Sequence, residues 1–114
     1  MNKFSQTLIL FLLVFLCETD KIVSQVAHSA SYISNFHAGV RHKLNGELAQ
    51  AISKFTTCLN DEQNDDAVHY ALYQIYFEQN ELQLALTHIK WALKIDPSNK
   101  HYKLELANSY SATG

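Results

Sequence analysis

Apolar positions beyond residue 47 follow one spacing twice. Counted from Leu48, they fall at i, i+3, i+4, i+7, i+10 and i+11: Leu48, Ala51, Ile52, Phe55, Cys58 and Leu59. These positions share one face of a 3.6-residue period, which predicts an amphipathic helix. The set returns 34 residues later as Leu82, Ala85, Leu86, Ile89, Ala92 and Leu93. Three further series keep the same offset: Ala38, Leu72 and Leu106; His42, Tyr76 and Tyr110; Gly46, Asn80 and Gly114. A period in this range marks stacked supersecondary units, and 34 residues suits a helix–turn–helix.

Polar breaks divide the chain into five predicted helices. The first spans Tyr32 to Asn45, and Asn45-Gly46 turns the chain. The second spans Glu47 to Asn60 and ends in the polar run from Asn60 to Asp66, whose Asp65 or Asp66 can cap the third by accepting from its free N–H groups. The third runs from Asp66 to Gln79 and turns at Gln79-Asn80; the fourth runs from Glu81 to Ile95. Asp96-Pro97-Ser98-Asn99 stops it, because proline cannot continue the helical ladder, and Ser98 or Asn99 can cap the fifth helix, Lys100 to Ser111. No segment carries sustained strand alternation, so the expected class is all-α.

The N-terminal residues follow a different rule. Lys3 precedes an unbroken apolar run from Leu8 to Cys17, which the polar stretch Glu18-Thr19-Asp20-Lys21 ends. The run is shorter than the roughly 20 residues that span a bilayer, and so reads as an export signal or a signal anchor over residues 1–24. Cleavage is expected before Gln25, after Ile22-Val23-Ser24, with 25–31 as a lead-in. A lipid on Cys17 would need a small residue before it, and Leu16 is bulky.

Composition narrows the function. The 114 residues hold at most one small domain, and one Pro and three Gly argue against disorder. Net charge is −2, with no basic cluster, so nucleic acid is not an expected partner. Cys17 and Cys58 do not make a disulfide framework.

The repeated residues resemble the tetratricopeptide repeat (TPR) family, whose pattern is W-x2-L-G-x2-Y, then A-x3-F, then P. The middle unit reads His69-x2-Leu72-Tyr73-x2-Tyr76, Ala85-x3-Ile89 and Pro97, with Ala92 at a later small position. The first reads Asn35-x2-Ala38-Gly39-x2-His42 and Ala51-x3-Phe55, with Cys58 as its later small residue; the third begins Lys103-x2-Leu106-Ala107-x2-Tyr110. The resemblance covers Tyr32 to Gly114. It implies repeat units at 32–65 and 66–99 and the first helix of a third at 100–114, stacked as a right-handed α-solenoid of antiparallel hairpins. Small residues belong at the helix crossings: Ala51, Cys58, Ala85 and Ala92 on second helices, Gly39 and Ala107 on first helices. Tyr73 departs from this, and its ring is expected to push the helices apart or swing out along the crossing, so that Tyr73→Ala would be neutral or stabilising. Gln63 replaces the closing Pro of the first unit, which predicts a looser loop there.

In this family the first helices line a concave groove that binds peptides or proteins and performs no chemistry. Carried over, the groove residues are Ile33, Phe36, Val40, Tyr70, Gln74, Phe77, His101 and Leu104. The carboxylate clamp of one subgroup is missing, because its places hold Phe36, Val40, Ala71, His101 and Glu105. The expected partner is therefore a protein or peptide with an apolar segment, taken as a helix or an extended strand. Packing between neighbouring first helices is the competing role for these side chains. With the export signal, the resemblance implies a scaffold in a bacterial periplasm or cell envelope, membrane-bound only through an uncleaved N-terminus or a lipid on Cys17. The alternative is the sensory or recruiting N-terminal region of a larger envelope signalling or assembly protein. Leu104, Leu106, Ala107 and Tyr110 have no following helix to bury them, which favours a longer parent protein over a fifth helix acting as a terminal cap.

No enzyme, cofactor or metal is expected. Six histidines are present (His28, His37, His42, His69, His88 and His101), but none shows the H-E-x-x-H or Cys-x2-Cys spacing that gathers ligands. His37 and His42 are about 140° apart around a helix. His69 and His101, both on first helices, are a pair that stacking could bring together, but scattered surface or packing roles are the expectation for all six. Cys58 fills a small buried slot rather than a nucleophile's place. Trp91, beside Lys90 and Lys94, is expected at the surface or between repeats.

Overall fold

Five helices build the repeat region of the computed structural model, which describes residues 3, 5–11, 28–62 and 64–114. They are α1 (Ala30–Leu44), α2 (Leu48–Asp61), α3 (Asp66–Glu78), α4 (Leu82–Ile95) and α5 (Lys100–Thr113). Among the described residues there is no strand. Residues 5–11 are also helical, with Leu8, Ile9, Leu10 and Phe11 exposed. No helix among the described residues is long and apolar enough to cross a membrane. The expected cleavage site before Gln25, the end of the apolar run with Cys17, and Gln63 lie outside the described residues.

Helix boundaries follow capping chemistry. The Ser29 hydroxyl accepts from the Tyr32 N–H at 3.0 Å, Asp65 from the Val68 N–H at 3.1 Å, and Asn99 from the N–H groups of His101 and Tyr102. Each satisfies donors that a helix start leaves free. Helices α1 and α3 end alike. The Gly46 N–H donates to the Lys43 carbonyl and the Glu47 N–H to the His42 carbonyl; 34 residues on, Asn80 donates to Phe77 and Glu81 to Tyr76. These paired bonds form a Schellman cap, which needs a left-handed residue at its centre. Gly46 has φ 77° and Asn80 φ 60°, so the Gly46–Asn80–Gly114 series of the sequence is a series of left-handed turn positions, Gly114 included at φ 79°. Each turn is so short that α1 and α2, and likewise α3 and α4, become antiparallel hairpins.

Each hairpin closes on fully buried small residues: Ala51 and Cys58 on α2, Ala85 and Ala92 on α4. Two apolar clusters follow. One joins Tyr32 of α1, Phe55 of α2, and Val68, Leu72 and Ile75 of α3. The other joins Tyr73 of α3, Leu86 and Ile89 of α4, and Tyr102 of α5, and Tyr76 touches both. The clusters span consecutive hairpins, so the repeats share one continuous core.

The crossings differ in one instructive way. A Cβ placed on Gly39 would lie 2.8 Å from Cε1 of Phe55, so the missing side chain makes room for that ring. In the second hairpin the large and small partners exchange: Tyr73 stands where Gly39 did and Ile89 where Phe55 did. Tyr73 is taken into the core at this crossing. It is 3% exposed, packs in the second cluster, and donates its hydroxyl to Glu105 of α5 at 2.7 Å. The smaller Ile89 leaves it volume, and the hydroxyl gives the buried ring a partner. Ala107, the third residue of this series, is exposed.

Gly39→Ala therefore lowers stability by about 1–3 kcal/mol despite alanine's better helix propensity, since Phe55 must shift. Tyr73→Ala lowers it by about 3 kcal/mol through the cavity it leaves. Urea unfolding with unchanged m-values checks both. At the second turn, Asn80→Gly raises stability by about 0.5 kcal/mol and Asn80→Ala lowers it by about 1 kcal/mol, read in the same way, because only glycine takes positive φ without strain.

Candidate functional site: the outward face of the first helices

Burial uses one side of α1 and α3 and leaves the other open. On α1 the open side carries Ile33, Phe36, Val40 and Leu44, spaced three or four residues apart. Phe36, Val40 and Leu44 line a hollow of about 450 Å³ with His37 and Arg41. Leu44 is 81% exposed, the most exposed large apolar residue of the repeat region, and belongs to this stripe although sequence reading passed it over. Its position four residues beyond Val40 was the available signal.

Ile33 and Phe36 also line a second hollow, of about 480 Å³, at the start of α1 against the α2–α3 loop. Its floor is aromatic: His28 stacks on Tyr32 at 4.5 Å and Tyr32 on Phe36 at 6.0 Å. Its wall is acidic, with Glu62, Asp65 and Asp66. Glu62 lies 2.8 Å from Nδ1 of His28, Asp65 accepts from the Tyr32 hydroxyl, and Asp66 from the Tyr102 hydroxyl at 2.9 Å.

On α3, Tyr70, Gln74 and Phe77 line a smaller hollow of about 240 Å³ with Tyr73, Glu78 and Glu105. Lys43 of α1 donates to Gln74, tying the two first helices together; burial pushes its ammonium pKa down, partly offset by Glu78. His101 of α5 does not enter this hollow. It meets the Tyr70 hydroxyl at 2.6 Å from Nε2. Leu104 is exposed and lines none of the three hollows.

The predicted groove residues thus divide by role. Val40 and Phe77 are exposed. Phe36 and Tyr70 are half-buried and carry packing as well: Phe36 meets Phe55 edge-on at 5.9 Å, and Tyr70 packs on Tyr102 at 5.2 Å. Packing, one of the two roles weighed for them in the sequence, is present in both rings.

The opposite side of α3 holds the chain's closest histidine pair among the described residues. His69 does not approach His101. It turns to α4, where its Nδ1 lies 3.0 Å from Nδ1 of His88. Tyr76 stacks on His88 at 5.5 Å and Trp91 on His69 at 5.9 Å, with the Lys94 ammonium 4.5 Å from the Trp91 ring. Trp91 therefore joins α4 to α3 and, through a shared hollow with Leu59, Asn60 and Asn64, faces the end of α2. No group of three or more His, Cys, Asp and Glu side chains suited to a metal ion occurs among the described residues. Cys58 is fully buried, its thiol donates to the Tyr32 carbonyl, and burial pushes its pKa up, which disfavours the nucleophilic thiolate. Compared with family models and with curated proteins, the chain finds no match.

Burial, then the neighbouring His69, pushes the His88 imidazole down to about 4 from its ordinary 6.5. The unfolded chain therefore binds a proton there that the folded chain refuses between those values. Stability from this site is complete above pH 6.5, falls as pH drops, and is lost by about pH 4. The melting temperature should fall by roughly 5 °C more over that range in the parent chain than in His88→Gln. Calorimetry at pH 7 and pH 4.5 measures the difference.

Proposed function

We propose that the chain is a tetratricopeptide-type scaffold that binds a protein or peptide segment along the outward face of α1 and α3, without catalysis. The observation that carries this reading is the open apolar stripe of α1 continued on α3. Val40, Leu44 and Phe77 stand exposed on helices whose other sides are committed to the core. Exposed apolar side chains at helical spacing, rimmed by polar groups, are the surface that amphipathic or extended peptides use. The hairpin geometry, the 34-residue recurrence of left-handed turns and the small residues at the crossings support the family reading. Lys3 and the apolar run from Leu8 support export, and the proposed location is a bacterial periplasm or envelope.

The test replaces one apolar residue on each of the two helices of this face. Val40→Ser with Phe77→Ser should keep the helical circular dichroism and lower the melting temperature by roughly 5 °C, because both side chains are about a third exposed and Phe77 also packs on Tyr73. Peptides selected on the parent chain from a displayed random library should bind the double variant at least tenfold more weakly. Selected peptides that bind parent and variant alike would end the groove reading.

A further inference from the structure

Two of the hollows on α1 adjoin. Phe36 and His37 line both the acidic hollow at the helix start and the apolar hollow farther along. Together the two hollows run about 17 Å along α1, from Ile33 to Leu44 at 1.5 Å per residue, as an open channel. One end is aromatic and anionic, with Tyr32 and Phe36 beside Glu62, Asp65 and Asp66. The other is apolar, with Val40 and Leu44, and closes on the cation Arg41.

Among the described residues the carboxylates at the anionic end have no lysine or arginine partner. Asp65 and Asp66 accept from tyrosine hydroxyls, which burial holds protonated. Glu62 faces only the imidazole of His28. Three carboxylates beside stacked aromatic rings suit a guanidinium or ammonium, which gains charge-assisted hydrogen bonds from the acids and attraction from the ring faces. Arg41 repels a second cation from the far end and so sets the direction.

Resting on the groove reading above, we infer that the occupant of this channel is a peptide segment with one arginine or lysine and, three to five residues away, a large aliphatic side chain. The basic residue sits between Phe36 and Glu62, and the aliphatic residue sits on Val40 and Leu44. The separation follows from the channel length at about 3.3 Å per extended residue.

The test uses the full chain and two labelled ten-residue peptides with a leucine pair four positions from an arginine or, in the second, a glutamine. Fluorescence anisotropy should show the arginine peptide binding about fivefold more tightly or better, with the advantage shrinking between 50 and 500 mM salt. Glu62→Gln, which keeps the backbone N–H that caps α2 on the Cys58 carbonyl and does not touch Tyr102, should remove most of that advantage. Val40→Ser should weaken both peptides equally. Equal binding of the two peptides, with Val40→Ser still weakening both, overturns the basic residue and leaves the groove reading standing. Loss of neither peptide on Val40→Ser, or binding of neither peptide to the folded parent, overturns both readings. A parent chain that sediments as a dimer, and a Val40→Ser variant that does not, would assign the channel to a second copy and overturn the peptide.

Discussion

Two helices run antiparallel at close range only if small side chains meet at their crossing, and the rest of this structure depends on that contact. Ala51 and Cys58 in the first hairpin, and Ala85 and Ala92 in the second, have no exposed surface. Their size lets Phe55, Ile75 and Ile89 fill the space between backbones at solid density. The crossing conserves volume rather than residue type: Gly39 faces Phe55 in one hairpin, and Tyr73 accompanies Ile89 in the next. A packed interior tolerates that exchange, because total volume and patterning matter more than any one side chain.

The hairpins are then held to one another through tyrosines. Tyr32 reaches Asp65, Tyr73 reaches Glu105, and Tyr102 reaches Asp66, each across about one repeat of sequence. A tyrosine suits such a boundary because its ring fills apolar volume while its hydroxyl finds an acceptor. Burial, followed by the carboxylate at each tip, raises these phenols, Tyr73 to about 12, so they remain donors at any ordinary pH. The arrangement satisfies buried oxygens without ionic partners and leaves acidic charge at the repeat boundary. The same contacts commit the inner sides of α1 and α3, so any groove must form from what remains outward.

Much of this was legible in the sequence. The apolar spacing placed every helix of the repeat region to within two residues at each end, because periodicity reports the buried face directly. The turn series was legible too, because a left-handed cap admits few residues and Gly46 and Asn80 are among them. Less legible were the outcomes that depend on a second helix. Tyr73 read as a misfit because the volume surrendered by Ile89 is not written beside it. A packing role for His69 was legible, but its partner was not: the ring turns toward His88 on its own hairpin partner rather than along the first helices.

The candidate site divides along the same line. That α1 and α3 carry open apolar and aromatic positions follows from the sequence, since a 3.6-residue period with one buried face must leave another exposed. Which of those side chains remain available is a tertiary outcome. Phe36 and Tyr70 are drawn partly into the core by Phe55 and Tyr102, while Val40, Leu44 and Phe77 stay outside. The acidic wall is tertiary as well. Glu62, Asp65 and Asp66 lie some thirty residues from Phe36 along the chain, and the return of α3 beside α1 brings them to its ring. The sequence by itself determined the helices, their turns and the repeat, because those rest on local backbone chemistry and spacing. Tertiary structure alone decided volume matching, partner choice and the charge around the groove, because each is a relation between side chains that only packing makes neighbours.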